Sequence, residues 1–217
     1  HVSIRSAWDT APRSRALAIL PPLWPKHNPS GLAPGVVAAM RAGALRRSGH
    51  AIKSGAMPEP FHCQDQIVRS EWIDYSGHMN IGYYMLAFEY AAVDFYRYLD
   101  LSREYRERTN HAQFALETHI NFMREVHEND PLRFTAQLLG YDGKRNRVLF
   151  RMHHRDQGYL VATNEVMYLH VDLEARRSAP YPQEVVDRLE AVWAQHKTLP
   201  WPEQAGRSIG FPEKKTN

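Results

Sequence analysis

The segment of this chain richest in chemical potential is Asp74-Tyr75-Ser76-Gly77-His78-Met79-Asn80, followed by Tyr83 and Tyr84. It gathers a carboxylate, an imidazole and an amide just ahead of a long apolar run that begins at Ile81. A helix starting there presents unpaired backbone N–H groups and the positive end of its dipole. A carboxylate on the turn that enters the helix can stand beside the same carbonyl those donors hold. Hydrolysis of an acyl bond needs both parts: a nucleophile or activated water, and donors for the developing oxyanion. Asp74 is the candidate catalytic carboxylate and the backbone amide of Ile81 the candidate oxyanion donor. His78 and Asn80 can orient water or the carboxylate. Each residue alone has a plainer reading: Asp74 as a helix N-cap or turn residue, His78 and Asn80 as makers of turn hydrogen bonds. Their spacing before a helix that must be buried favours the chemical reading.

Regular elements must hold that turn in place. Phe61–Ile73 reads as a strand leading into it. Ile81–Leu99 carries only Glu89, Asp94 and Arg97 as charges and reads as a helix apolar nearly all round, buried inside the protein. Three interior charges at about 2.5–3.5 kcal/mol each argue against a membrane span. Asp100 to Asn110 reads as a charged connector. Phe114–Met123 alternates, with Phe114, Leu116, Thr118, Ile120 and Phe122 on one face and Ala115, Glu117, His119, Asn121 and Met123 on the other. Leu132–Tyr141, Arg147–His154 and Tyr159–Val171 read as further strands, with Asp142-Gly143 as a hairpin signal. A helix is expected over Pro182–His196, then an irregular tail. One strand, one long helix and a hairpin-linked meander of four imply an α+β fold, an antiparallel sheet curved around a central helix.

Composition sets the boundaries. The 217 residues are 43% hydrophobic and 11% aromatic, enough for a real core. Residues 1–58 hold eight Lys/Arg against Asp9 alone, and eight of the fourteen prolines lie in the first 60 residues. They read as a basic, Pro-rich leader outside the core. A short helix over Pro34–Arg47 and Met57 as the natural start are expected; an organellar transit peptide is the alternative. Residues 59–173 are expected to form the catalytic domain and 174–217 a helix with an irregular tail. The rest of the chain holds 19 Lys/Arg against 23 acids, no electrostatic case for nucleic acid. Cys63 is the sole cysteine, which excludes an intrachain disulfide and fits a reducing, cytoplasmic setting. No metal, cofactor or membrane partner is expected. His153-His154 points two ways on a strand and His62-Cys63 stands isolated. Gly206-Arg207-Ser208-Ile209-Gly210 matches a nucleophile elbow in letters only, since a Pro-rich stretch precedes it.

The motif Asp74, Gly77, His78, Asn80, Tyr83, Tyr84, placed between a strand and a long apolar helix with a meander after it, resembles the hot-dog-fold acyl-CoA thioesterases related to 4-hydroxybenzoyl-CoA thioesterase. Phe114–Glu117, Tyr141–Arg145 and Gly206–Pro212 are similar to a subgroup linked with carnitine breakdown, the betainyl-CoA thioesterases. The resemblance implies a hot-dog fold and an acyl-CoA substrate hydrolysed without a cofactor, CoA being part of the substrate. It implies Asp74 as nucleophile or general base. It also implies a homodimer or dimer of dimers, two sheets joined edge to edge with the thioester between them.

The phosphates of CoA want surface cations. Lys144 and Arg145, just after the hairpin turn, are the candidates, an ordinary solvated hairpin being the alternative. Glu117 and His119 are expected to line the acyl pocket or to face solvent or a partner subunit. Glu89 is the rival carboxylate, unless it pairs with Arg97. Two other readings are an enoyl-CoA hydratase of the same fold, against which the order of His78 and Asn80 counts, and a non-catalytic acyl-CoA sensor.

Overall fold

The computed structural model describes residues 58–211. The expected leader helix and the expected start at Met57 lie outside them. Strands β1 (Phe61–His62) and β2 (Gln66–Ile67) precede a single 3₁₀ turn, Ser70–Trp72. Helix α1 (Ile81–Tyr98), helix α2 (Arg103–Thr109) and strands β3 (His111–Phe122), β4 (Pro131–Tyr141), β5 (Arg145–His154), β6 (Leu160–Asp172) and β7 (Arg177–Ser178) follow, then helix α3 (Gln183–His196).

The sheet is antiparallel in the order β1-β4-β5-β6-β3, with β2 also on β4 and β7 on β6. Only β4, β5 and β6 form a meander. The expected run of four neighbouring strands is corrected: β3 pairs along its length with β6, from His111 opposite Asp172 to Phe122 opposite Ala162. The β3–β4 connection therefore passes beneath the sheet end, where Val126 is fully buried and its carbonyl accepts from Met79 N–H. The expected strand Phe61–Ile73 is also corrected to two short pieces. Between His62, opposite Thr135, and Gln66, opposite Leu132, this side carries one extra residue, a bulge that interrupts the ladder.

Helix α1 packs one side onto this sheet. Phe88 meets Phe134 with ring centroids 5.9 Å apart, Phe95 meets Phe150 at 6.3 Å, and Tyr96 meets Tyr168 at 4.8 Å. At its C-terminal end Tyr96 donates to Asn146 Oδ1 (2.9 Å), and Asn146 Nδ2 donates to Tyr181 Oη (2.7 Å). The helix is not buried all round, as the sequence led us to expect. Ile81, Met85 and Glu89, spaced four apart and so on one face, are exposed, because a single sheet covers a single side. The expected connector 100–110 contains α2, which Asn110 ends in a left-handed conformation.

The two sheet edges differ. Past the residues that β1 pairs, β4 is covered by α3, whose Val185, Leu189 and Val192 join the one core. A bulge at Leu138/Gly140 frees Leu138 N–H, which donates to His196 Nδ1 at 2.9 Å. The opposite edge, β3, carries the exposed apolar side chains Phe114, Leu116 and Phe122 along a twelve-residue strand. A long, apolar open edge is a template for pairing with another chain.

Burial pushes the His196 imidazole down to about 4 despite a hydrogen bond that its ring donates to the Glu59 backbone carbonyl, which favours the charged form. The unfolded chain then binds a proton between pH 6.5 and 4 that the folded one does not, so this residue's contribution to stability falls as pH falls through that window. His196→Phe is expected to lower stability at neutral pH by about 1–3 kcal/mol, because Leu138 N–H loses its acceptor. It is also expected to flatten part of the fall in Tm between pH 6.5 and 4. An unchanged Tm and an unchanged acid slope would contradict this role.

Candidate active site

The turn before α1 is built by its own side chains. Asp74 N–H donates to the His78 carbonyl (3.1 Å) and Gly77 N–H to the Asp74 carbonyl (3.0 Å). Gly77 has φ of +82°, a conformation that explains a glycine there. A bridge between Ile73 and Met79 closes the loop. Asn80, not Asp74, is the N-cap: its Oδ1 accepts from Gly82 N–H at 3.0 Å. Its Nδ2 donates to Asp74 Oδ2 at 3.3 Å. Asp74 Oδ1 accepts from Ser76 N–H at 2.8 Å and from the Ser76 hydroxyl.

These donors stabilise the anion. The Ser76 hydroxyl and amide, helped by Asn80 and His78, hold the Asp74 carboxyl below the usual aspartate range. Asp74 is therefore charged at neutral pH, with its Oδ2 engaged only by the longer Asn80 contact. Tyr83 N–H is taken by the Asn80 carbonyl at 3.0 Å. Ile81 N–H, at the first helical position, has no acceptor among the described residues and sits on an exposed residue. The charged carboxylate and a donor at the helix N-terminus thus lie on one short turn, the arrangement acyl hydrolysis requires.

Beside the turn is an open cleft of about 410 Å³, lined by residues that include Ser76, His78, Ile81, Tyr84, Phe122 and Glu125. Asp74 does not line it, but Ser76 and His78 on the same turn do. His78 Nε2 is 3.3 Å from Glu125 Oε2, and its ring meets that of His127 at 5.1 Å. One ligand atom from each of His78, Glu125 and His127 lies within 4.8 Å of the others, a donor set able to hold a divalent cation. The sequence reading missed this grouping and the cleft's far wall. Glu125 and His127 lie more than forty positions beyond His78, and the only sequence signal was a polar cluster closing the β3–β4 connection.

Asp74, His78, Asn80 and Ile81 are brought together; the other candidates are not. Lys144 and Arg145 sit on the β4–β5 hairpin, beside Asn146 and the C-terminal end of α1, whereas Asp74 sits at its N-terminal end. At 1.5 Å per residue the 18-residue helix separates them by about 27 Å. Lys144 Nζ donates to Ser178 Oγ (3.2 Å), and Arg145 pairs with Asp142 at 2.6 Å. Glu117 is opposite Met167, which is opposite Arg147, a row on the sheet face away from α1. A bulge at Leu116 also breaks the alternation expected for β3, so Ala115, opposite Tyr168, shares the helix side with Thr118, Ile120 and Phe122. Leu116 and Phe114 do not belong to that face.

Glu89 does not pair with Arg97, which bonds Asp94 at 2.8 Å. Crowding around the Glu89 carboxyl raises its pKa, so it holds its proton more readily than an ordinary glutamate. Gly206 N–H donates to Glu165 Oε2 at 2.7 Å in a turn flanked by no strand or helix, unlike a nucleophile elbow. Among the described residues no helix is long and apolar enough to cross a membrane.

Comparison with known proteins agrees with this fold. The model of the thioesterase-like superfamily matches residues 68–189. A betainyl-CoA thioesterase of Pseudomonas aeruginosa is 40% identical over 145 residues, 67% of this chain and 91% of that protein. The L-carnitine dehydrogenase/betainyl-CoA thioesterase of Rhizobium meliloti is 34% identical over 164 residues, 76% of this chain and 33% of that longer protein. Among solved structures, a Staphylococcus aureus protein determined in complex with CoA superposes with a TM-score of 0.68 at 29% identity, covering 72% of this chain and 98% of that one. With its antiparallel sheet, central helix and helix-entering carboxylate turn, the chain belongs to the thioesterase-like superfamily, as a hot-dog-fold hydrolase of acyl-CoA thioesters.

Proposed function

We propose that the protein hydrolyses betainyl-CoA to betaine and CoA, that Asp74 is its general base, and that it acts as a homodimer. The observation that carries the reading is the Asp74 carboxylate, kept ionised by Ser76 and Asn80 on the turn whose next residue, Ile81, offers a free amide. The 40% identity to the P. aeruginosa betainyl-CoA thioesterase supports the choice of acyl group.

In this mechanism a water accepts orientation from Asp74 Oδ2 and attacks the thioester carbonyl as its proton passes to Asp74. The oxyanion forms at Ile81 N–H, where the helix dipole opposes its charge. The carbonyl re-forms as the C–S bond breaks. The sulfur of CoA leaves with the bond electrons and takes the proton held by Asp74. His78, braced by Glu125, orients the water.

The dimer reading rests on the open β3 edge and on the uncovered α1 stripe of Ile81, Met85 and Glu89. Antiparallel pairing of β3 with β3 of a second copy brings the partner's hairpin end to the end of the sheet that carries Asp74. The partner's Lys144 and Arg145 then lie about three strand spacings, roughly 15 Å, from the seam, a reach suited to the phosphates of an extended CoA. Glu117 lies beside the same seam, but on the outer face.

Asp74→Asn is expected to reduce kcat at least about 100-fold, because the amide keeps the shape but cannot take the proton. His78→Ala and Asn80→Ala are expected to cost less. Steady-state rates on betainyl-CoA check this, with circular dichroism to confirm folding. Near-normal turnover by Asp74→Asn would move the chemistry to Glu89 or elsewhere.

For the dimer, an Asp74→Asn chain and a Lys144→Ala/Arg145→Ala chain are expected to be weak alone. Refolded together they should regain up to about a quarter of wild-type activity, since half of the dimers are mixed and each holds one intact site. A fully active monomer in sedimentation would contradict the reading, as would no rescue in confirmed mixed dimers.

A further inference from the structure

A betainyl thioester, (CH₃)₃N⁺–CH₂–C(=O)–S–, carries its positive charge two bonds from the carbonyl carbon. A quaternary ammonium has no N–H to donate. It is held by aromatic faces and by carboxylates that need not touch a proton. The group must therefore lie within a few ångströms of the Ile81 amide, and the cleft that Ile81 lines offers both kinds of partner.

Phe122 and Tyr84 meet edge to face with centroids 5.1 Å apart. Phe122 is 47% exposed, so a ring face is open to the cleft, whereas Tyr84 is buried at 5% and fixes the corner. The Glu125 carboxylate closes the corner beside His78 Nε2, with its side chain 63% exposed. Its field reaches the aromatic wall: burial first, and Glu125 second, push the Tyr84 phenol up to about 12. Met79, Ile81 and Met123 add apolar walls for methyl groups. The one fixed cation of the lining, Arg124, is drawn aside, its guanidinium lying 5.0 Å over the Tyr159 ring.

We propose that Glu125, with the ring face of Phe122 that buried Tyr84 holds in place, forms a subsite that selects a trimethylammonium acyl group over a neutral group of the same shape. The inference rests on the betainyl reading and deepens it by naming the residues that choose the acyl group. Glu125 opposes the charge directly, and the Phe122 ring supplies the quadrupole contact, with Tyr84 behind it setting the shape.

The experiment compares two thioesters that differ in one atom: betainyl-CoA and 3,3-dimethylbutanoyl-CoA, in which carbon replaces the ammonium nitrogen. EDTA is present throughout, so that His78, Glu125 and His127 hold no metal. The quantity read is the ratio of kcat/KM for the charged and neutral substrates, from which any effect of Glu125 on His78 cancels. Glu125→Gln is expected to lower that ratio about tenfold or more, and Phe122→Leu about threefold. Unchanged ratios in both variants, with betainyl-CoA still cleaved, would overturn the subsite and leave the betainyl reading standing. A wild-type enzyme that cleaves only the neutral thioester would overturn the betainyl reading, and the subsite with it.

Discussion

The side chain of Asn80 joins the fold to the chemistry. Its oxygen caps α1 at Gly82, and its nitrogen holds Asp74. Forming the first turn of the helix and aiming the carboxylate are thus one event. An N-cap of this kind is worth about 1 kcal/mol, a modest amount, but it fixes where the helix begins. From that start the register follows: Tyr84, Phe88 and Phe95 fall one above another onto the sheet, and Ile81 is left at the tip with its amide exposed. A helix begun one residue later would move both the proposed oxyanion donor and the buried stripe.

The sheet treats its two sides unequally, and function follows from that. The β4 edge is sealed by α3 through a neutral histidine, His196, which burial keeps uncharged. Among the described residues the β3 edge, with Phe114, Leu116 and Phe122 exposed, is left open. The same strand lends Phe122 to the cleft, so the element proposed to associate also builds the proposed substrate wall. Lys144 and Arg145, far from Asp74 within one chain, become relevant only if a second chain reverses the direction of the sheet at that edge.

Much of this was legible in the residues. The Asp74–Asn80 turn and the long helix could be read because local chemistry determines them: a glycine at positive φ, an asparagine before an apolar run, and short-range hydrogen bonds. The four long strands could be placed to within a few residues, whereas the expected strand Phe61–Ile73 is two short pieces. Strand order was not legible. Pairing of β3 with β6 is a non-local choice that hydrophobic alternation does not encode, and one bulge at Leu116 was enough to exchange the faces of Ala115 and Phe114. The short helix α2 hid in a charged stretch with too few apolar positions to show a period. The cleft wall at Glu125 and His127 escaped notice because only the fold brings it to the turn.

The central claim is that Asp74, which the Ser76 and Asn80 donors hold ionised to lower pH than an ordinary aspartate, takes the proton of the attacking water. The most direct measurement is the pH dependence of kcat/KM for betainyl-CoA in the wild type and in Ser76→Ala. A carboxyl whose pKa is lowered in the folded enzyme stays active as a base to lower pH, and removing its main donor raises the pKa. The wild-type acid limb is therefore expected below the ordinary aspartate range, and the Ser76→Ala limb at higher pH, closer to that range. Coincident limbs in the two enzymes would contradict the account, because the group that titrates would then not be the carboxylate Ser76 holds.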